Sequence, residues 1–98
     1  MNINKIKDYL NIANKAGYLI IGGEKLENYN KKLYLVLYST TAQKNTLKLV
    51  ERLKNKEIKV LQIDNLEELS SIKNCKLLGI KNKGISEIIV DLYNKKGD

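Results

Sequence analysis

Gly22-Gly23 sits between a β-branched run and a helical pattern. Backbone N–H groups left free at such a turn, with no side chain in the way, can meet an anionic oxygen closely. The chemistry would be phosphate binding. Two glycines also make a plain tight turn, and neither Gly-x-x-x-x-Gly-Lys-Ser/Thr nor Gly-x-Gly-x-x-Gly surrounds them. Lysines fall in several loops: Lys25, Lys31 and Lys32 after the glycines, Lys73 and Lys76 before a late strand, Lys81 and Lys83 after it. Clustered, they would draw a polyanion; spread out, they would only solvate a Lys-, Asn- and Ile-rich surface.

Other reactive side chains lack partners. Histidine is absent, which removes Ser-His-Asp and Cys-His nucleophile systems, imidazole bases and His-based metal sites. Cys75 is the single cysteine, so no internal disulfide and no Cys-x-x-Cys metal knuckle forms; a small packed residue beside a strand is the expected role. The carboxylate pairs Glu67-Glu68 and Glu24/Glu27 fall on predicted helices among lysines and read as solvated faces. Six tyrosines can stack on bases, but most lie in predicted strands or helices, where packing is the commoner use. No catalytic constellation, metal site or cofactor fingerprint emerges.

Lys plus Arg number 18 against 11 Asp plus Glu, a formal charge of +7, and every cation but Arg52 is a lysine. That balance favours a polyanionic partner. With 43% apolar residues and no proline, the chain reads as a folded globule of one domain, 1–98. No apolar run approaches the roughly 18 residues of a spanning helix, and no signal peptide is evident at the start, so a cytoplasmic protein is expected.

The elements that must position these groups follow from periodicity. Ile3, Ile6, Leu10, Ala13 and Ala16 form a helical stripe with Gly17 placed to stop it. Residues 18–21 read as a strand, and Leu26, Tyr29 and Leu33 as a short second helical face. Residues 33–38 are apolar without alternation, which predicts a central strand covered on both faces. Ser39, Thr40 and Thr41 offer a capping oxygen for a helix over 42–54 that buries Leu47, Leu49, Val50 and Leu53. Ile58, Val60, Leu61 and Ile63 make a third strand; Asn65 offers a cap, with Glu68 in the capping-box place of a helix over 66–72. A polar loop, a strand over 77–80, a turn at 82–84 and a helix carrying Ile85, Ile88, Ile89 and Leu92 complete the order, and residues 95–98 should fray. Alternating helices and strands predict an α/β layered domain with a sheet of about four strands.

This order, with particular residues in it, resembles the kink-turn-binding ribosomal protein superfamily, the L-seven-Ae/L-thirty-e group, and within it the small bacterial YlxQ-type proteins. The matching stretches are the run from Leu10-Asn11-Ile12-Ala13 through Ala16-Gly17-Tyr18 to Gly22, then Leu35-Val36-Leu37, Asn45-Thr46, Glu68-Leu69-Ser70, and Leu77-Leu78-Gly79-Ile80 with Gly84 beyond. The resemblance implies a three-layer α/β/α sandwich with a mixed sheet and non-catalytic binding of structured RNA, probed in that superfamily by a Gly-x-Asn-Glu-x-x-Lys turn and the loop before the fourth strand. Gly22 falls on the glycine, Gly23 on the variable place, Glu24 on the asparagine, Lys25 on the glutamate and Asn28 on the lysine, so three polar identities differ. Hydrogen bonds to base edges specify while lysines on phosphates only position, so these differences bear on recognition of a standard kink-turn.

The second region corresponds to residues 71–76. There Ile72 and Cys75 would pack on exposed bases, while Lys73 and Lys76, flanking Asn74, reach phosphates. The resulting expectation is a ribosomal or ribosome-associated RNA-binding protein, a monomer by default, with ribosomal proteins as further partners and no cofactor, metal or membrane. A protein-interaction module that keeps the fold without the RNA recognition is the other reading, since a fold does not set its function.

Overall fold

The computed structural model describes residues 2–70, 72 and 74–95. Helix α1 (Ile3–Lys15) starts at Asn2, whose side chain accepts the Lys5 N–H, and buries Ile6, Leu10 and Ala13 at the predicted spacing. It stops where Gly17 takes φ +77°: the Tyr18 N–H reaches the Ala13 carbonyl at 2.8 Å and the Gly17 N–H that of Asn14 at 3.2 Å, the paired bonds of a Schellman ending. The chain then reverses into β1 (Leu19–Ile21) and, past Gly22, into the short α2 (Gly23–Asn28).

Strands β2 (Leu35–Ser39), β3 (Val60–Ile63) and β4 (Leu77–Ile80) complete one mixed four-stranded sheet in the order β1-β4-β2-β3. β2 runs parallel to β3, with Leu37 opposite Leu61, and β4 runs antiparallel to both β2 and β1, with Gly79 opposite Val36 and Ile20. Two apolar layers sandwich this sheet. On one face Ile6 and Leu10 of α1, Leu66 and Leu69 of α4 (Leu66–Leu69), and Ile89 and Leu92 of α5 (Lys83–Asn94) cover Leu35, Leu37, Leu78 and Ile80. On the other, Leu26 of α2 and Leu49, Val50 and Leu53 of α3 (Lys44–Lys54) cover Ile20, Val36 and Leu77. This is the expected α/β/α sandwich. Alternate β2 side chains enter opposite layers, so burial on both faces explains its unbroken apolar run. Edge strand β3 shows Gln62 to solvent, and the Tyr93 hydroxyl closes that edge on the Gln62 carbonyl at 2.9 Å.

Several local expectations are corrected. Helix α3 begins at Lys44 with Gln43 as its N-cap and no side-chain cap, because the Ser39 and Thr41 hydroxyls are engaged by Glu67 instead. Leu47 stays exposed. It lies on the solvent side of the stripe that buries Leu49, Val50 and Leu53. Asn65 adopts a left-handed conformation and receives the Glu68 N–H on its backbone carbonyl, so no capping box forms, and α4 is a single turn that ends when Ser70 becomes extended. The last helix begins at Lys83, not beyond Gly84, since the Asn82 side chain caps the Ile85 N–H at 2.9 Å; Ser86 is buried in its wall while Ile88 is exposed. The expected fraying concerns residues 96–98, which lie outside the described residues, and Lys95, which caps α5.

Candidate nucleic-acid interface

The C-terminal ends of β1, β2 and β3 and the start of β4 share one edge of the sheet, because Ile21 pairs with Leu78, Tyr38 with Leu77 and Ser39 with Ile63. That edge gathers the β1–α2 turn, the start of α3, and the segment before β4. At its centre is a cleft of about 290 Å³ lined by Gly22, Gly23, Gln43, Thr46, Asn74 and Lys76, with Cys75 and Leu77 in its wall.

Gly22 has φ +96° and ψ 152°, a region essentially reserved for glycine. Its N–H is held by the Leu77 carbonyl at 3.1 Å and its carbonyl accepts the Leu26 N–H at 3.2 Å, so the turn is tied to the sheet on one side and to α2 on the other. Gly23 opens α2, and a Cβ there would stand 3.2 Å from a Leu49 methyl, which brings the turn's backbone close against α3.

The predicted residues divide. Gly22, Gly23, Asn74, Cys75 and Lys76 meet at the cleft, although they come from two distant stretches of sequence. Glu24 lines an adjoining hollow with Asn45, Thr46 and Arg52. Lys25 and Asn28 are exposed on α2 and line neither depression, and Ile72 packs against the main core. Cys75 is 3% exposed, its thiol faces the Leu77 carbonyl at 3.7 Å, and burial pushes that thiol's pKa up. It presents a wall to the cleft and not a projecting group. Lys73 lies outside the described residues. Gln43 and Thr46 were missed as site residues: Thr46 stood out only within the matching Asn45-Thr46 stretch and Gln43 in no motif, and the uncapped start of α3 brings both here.

A carboxylate network stiffens the same edge. Glu67 accepts from the Ser39 hydroxyl at 2.5 Å and from the Thr41 hydroxyl, which in turn lies 2.9 Å from Ser39 Oγ. Ser39 and Thr41, in that order of effect, lower the Glu67 pKa from 4.5 to about 2, and Lys76 adds a smaller attraction. Glu67 is thus no merely solvated helix residue: it ties α4 to the end of β2. Among the described residues, no group of His, Cys, Asp and Glu side chains could hold a metal ion, and no helix is long and apolar enough to cross a membrane.

Comparison with known proteins bears on the fold. No family model matches the chain, and no curated protein matches it. A solved structure of a protein with unknown function from Bacillus halodurans C is similar with a TM-score of 0.79 and 23% identity, over 93% of this chain and 98% of that one. At that identity the likeness concerns the architecture.

Proposed function

We propose that this chain is a non-catalytic, cytoplasmic RNA-binding protein, ribosomal or ribosome-associated, that takes a structured, kink-turn-like RNA at the edge holding Gly22, Gly23 and Asn74–Lys76. The observation that carries the reading is the convergence of those two stretches on one cleft, where backbone and small polar groups are presented by a rigid sheet. Such a surface reads RNA by shape and by contact with unpaired bases. The sequence resemblance to the kink-turn-binding superfamily, and to its YlxQ-type members, points to the same two stretches.

Among the described residues, charge at this edge is close to balance: Glu24, Asp64, Glu67 and Glu68 stand against Lys25, Lys44 and Lys76. Salt would weaken the phosphate contacts of the lysines there and leave the contacts to exposed bases in place. The same carboxylates favour the second reading, a protein-interaction module on this fold, because they repel phosphates. Amide chemical-shift mapping separates the two. Addition of a kink-turn RNA should move Gly22, Gly23, Gln43, Thr46 and Asn74; shifts that avoid both the Gly22 turn and the loop before β4 would remove RNA from this edge.

A further inference from the structure

A group of lysines lies together at the opposite edge of the sheet. Lys31 and Lys32 precede β2, Lys56 and Lys59 precede β3, Lys81 follows β4 and Lys83 opens α5, all at the end of the sheet away from Gly22. In those three connections Glu57 is the one carboxylate. Six lysines against Glu57 leave these connections at +5, and Glu87 and Asp91 on the adjoining face of α5 bring the pole to +3.

A wide depression of the surface opens at the same place. A cleft of about 430 Å³ between α5 and the starts of β2 and β3 is lined by Lys32, Tyr34, Lys59 and Lys83, with Glu87 and Asp91 on its α5 wall. The Lys32 ammonium stands 5.3 Å from the centre of the Tyr34 ring. The ion pairs among the described residues are Arg52–Glu27 and Lys54–Glu51, so none of the three lining lysines is held by a carboxylate within 4.0 Å.

We propose that this second pole is an RNA-binding surface in its own right, which seats a nucleotide of a single-stranded segment in the cleft between α5 and the starts of β2 and β3. Each part of the lining has a counterpart in a nucleotide. Lys32, Lys59 and Lys83 take backbone phosphates, and the Tyr34 ring offers a face or edge to the base. Glu87 and Asp91 accept from an exocyclic amino group, the pairing that carboxylates make with cytosine. The mixed lining fits such a ligand better than it fits an acidic peptide, which would bring further carboxylates against Glu87 and Asp91. This surface does not depend on the Gly22 edge binding RNA; if both bind, the protein holds two RNA segments across the length of its sheet.

The test titrates the full chain with a short oligocytidine and a short oligouridine, neither of which can form a kink-turn, over a range of salt. The comparison variants are Lys32→Ala/Lys59→Ala/Lys83→Ala and, at the other edge, Lys44→Ala/Lys76→Ala, with circular dichroism to show that each folds. Three phosphate contacts on a single strand contribute about 2 to the slope of log affinity against log salt. The first variant should lose that slope, so that the drop in affinity between 50 and 200 mM salt becomes roughly 20-fold smaller, while the second should keep it. Oligocytidine should bind more tightly than oligouridine, and Glu87→Gln/Asp91→Asn should erase the difference. Amide shifts on adding oligocytidine should centre on Lys32, Tyr34, Lys59 and Lys83. An unchanged slope in the first variant, shifts that avoid this cleft, or tighter binding of an acidic peptide than of either oligonucleotide would overturn the proposal.

Discussion

Gly79→Ala is the sharpest test of how the Gly22 turn is held. Gly79 lies in β4 between Val36 and Ile20, and a Cβ added there would stand 2.6 Å from one Leu26 methyl and 3.2 Å from a Leu33 methyl. Carbon atoms in contact prefer roughly 3.5–4.0 Å, so the Leu26 methyl must retreat by about 1 Å. It has little room to do so, being 1% exposed beneath a layer that includes Leu33 at 7%. Overpacking of this kind costs about 1–3 kcal/mol. Against it stands a gain of about 0.5–1 kcal/mol, because alanine surrenders less chain entropy than glycine on folding. The steric term wins, leaving a net loss of about 1–2 kcal/mol and a Tm lowered by roughly 5–15 °C. Because Leu26 is the buried anchor of α2, the displacement also moves the helix that starts at the Gly22 turn. Urea and thermal unfolding followed by circular dichroism measure the loss, and a double-mutant cycle with Leu26→Ala identifies its source. Leu26→Ala alone should cost about 2–5 kcal/mol, and the pair should be less destabilised than the two losses added, since the new methyl enters the space vacated. Strict additivity, or a Gly79→Ala protein as stable as the parent, would refute the packing of α2 on β4 described above.

Three further outcomes are expected. Gly22→Ala meets no atom within 4 Å, so its cost, about 1–3 kcal/mol, comes from backbone conformation alone; unfolding curves should show it, and amide shifts should move at Gly22 and Leu77 while the α5 side of the sheet stays still. Glu67, lowered from 4.5 to about 2, stabilises the folded state fully above pH 4.5–5 and loses that contribution as pH falls toward 2. The stability gap between the parent and Glu67→Gln should accordingly narrow over that interval, and a gap that does not change with pH would mean the Ser39 and Thr41 bonds are absent in solution. Cys75, buried and with its pKa raised, should react with iodoacetamide far more slowly in the native protein than in urea; equal rates would show the wall before β4 to be open.

Much of the architecture was legible in the chain. The Ile6-Leu10-Ala13 spacing with Gly17 after it, and the unbroken Leu35-Val36-Leu37 run, are local signals, and each does in the structure what its spacing requires. Helix starts were less legible, because Ser39, Thr41 and Asn65 have competing uses for their polar atoms. Ser39 and Thr41 turn to Glu67, a partner 28 and 26 residues away that no local pattern could reveal, and Asn65 spends its backbone carbonyl where its side chain was expected. At the Gly22 edge, the glycine pair and the loop before β4 were visible as motifs, whereas Gln43, and Thr46 of the matching Asn45-Thr46 stretch, reach the cleft through the crossing of α3 over the sheet edge. The scattered lysines illustrate the same limit. Sequence spacing placed Lys31, Lys32, Lys81 and Lys83 in loops, and it took the strand directions to show that they share one end with Lys56 and Lys59, which no sequence pattern singled out.

The two ends of the sheet therefore have different physical signatures, a balanced cleft built on Gly22 and a lysine-rich one beside α5. Direct titration of the purified protein with a standard kink-turn RNA, and with a variant whose sheared G-A pairs are replaced, at two salt concentrations tests the central claim. A preference for the intact kink-turn that persists at the higher salt is expected, because the Gly22 edge recognises shape with little net charge. Equal binding to both RNAs, erased together by salt, would contradict it and leave lysine charge as the sole basis of RNA binding.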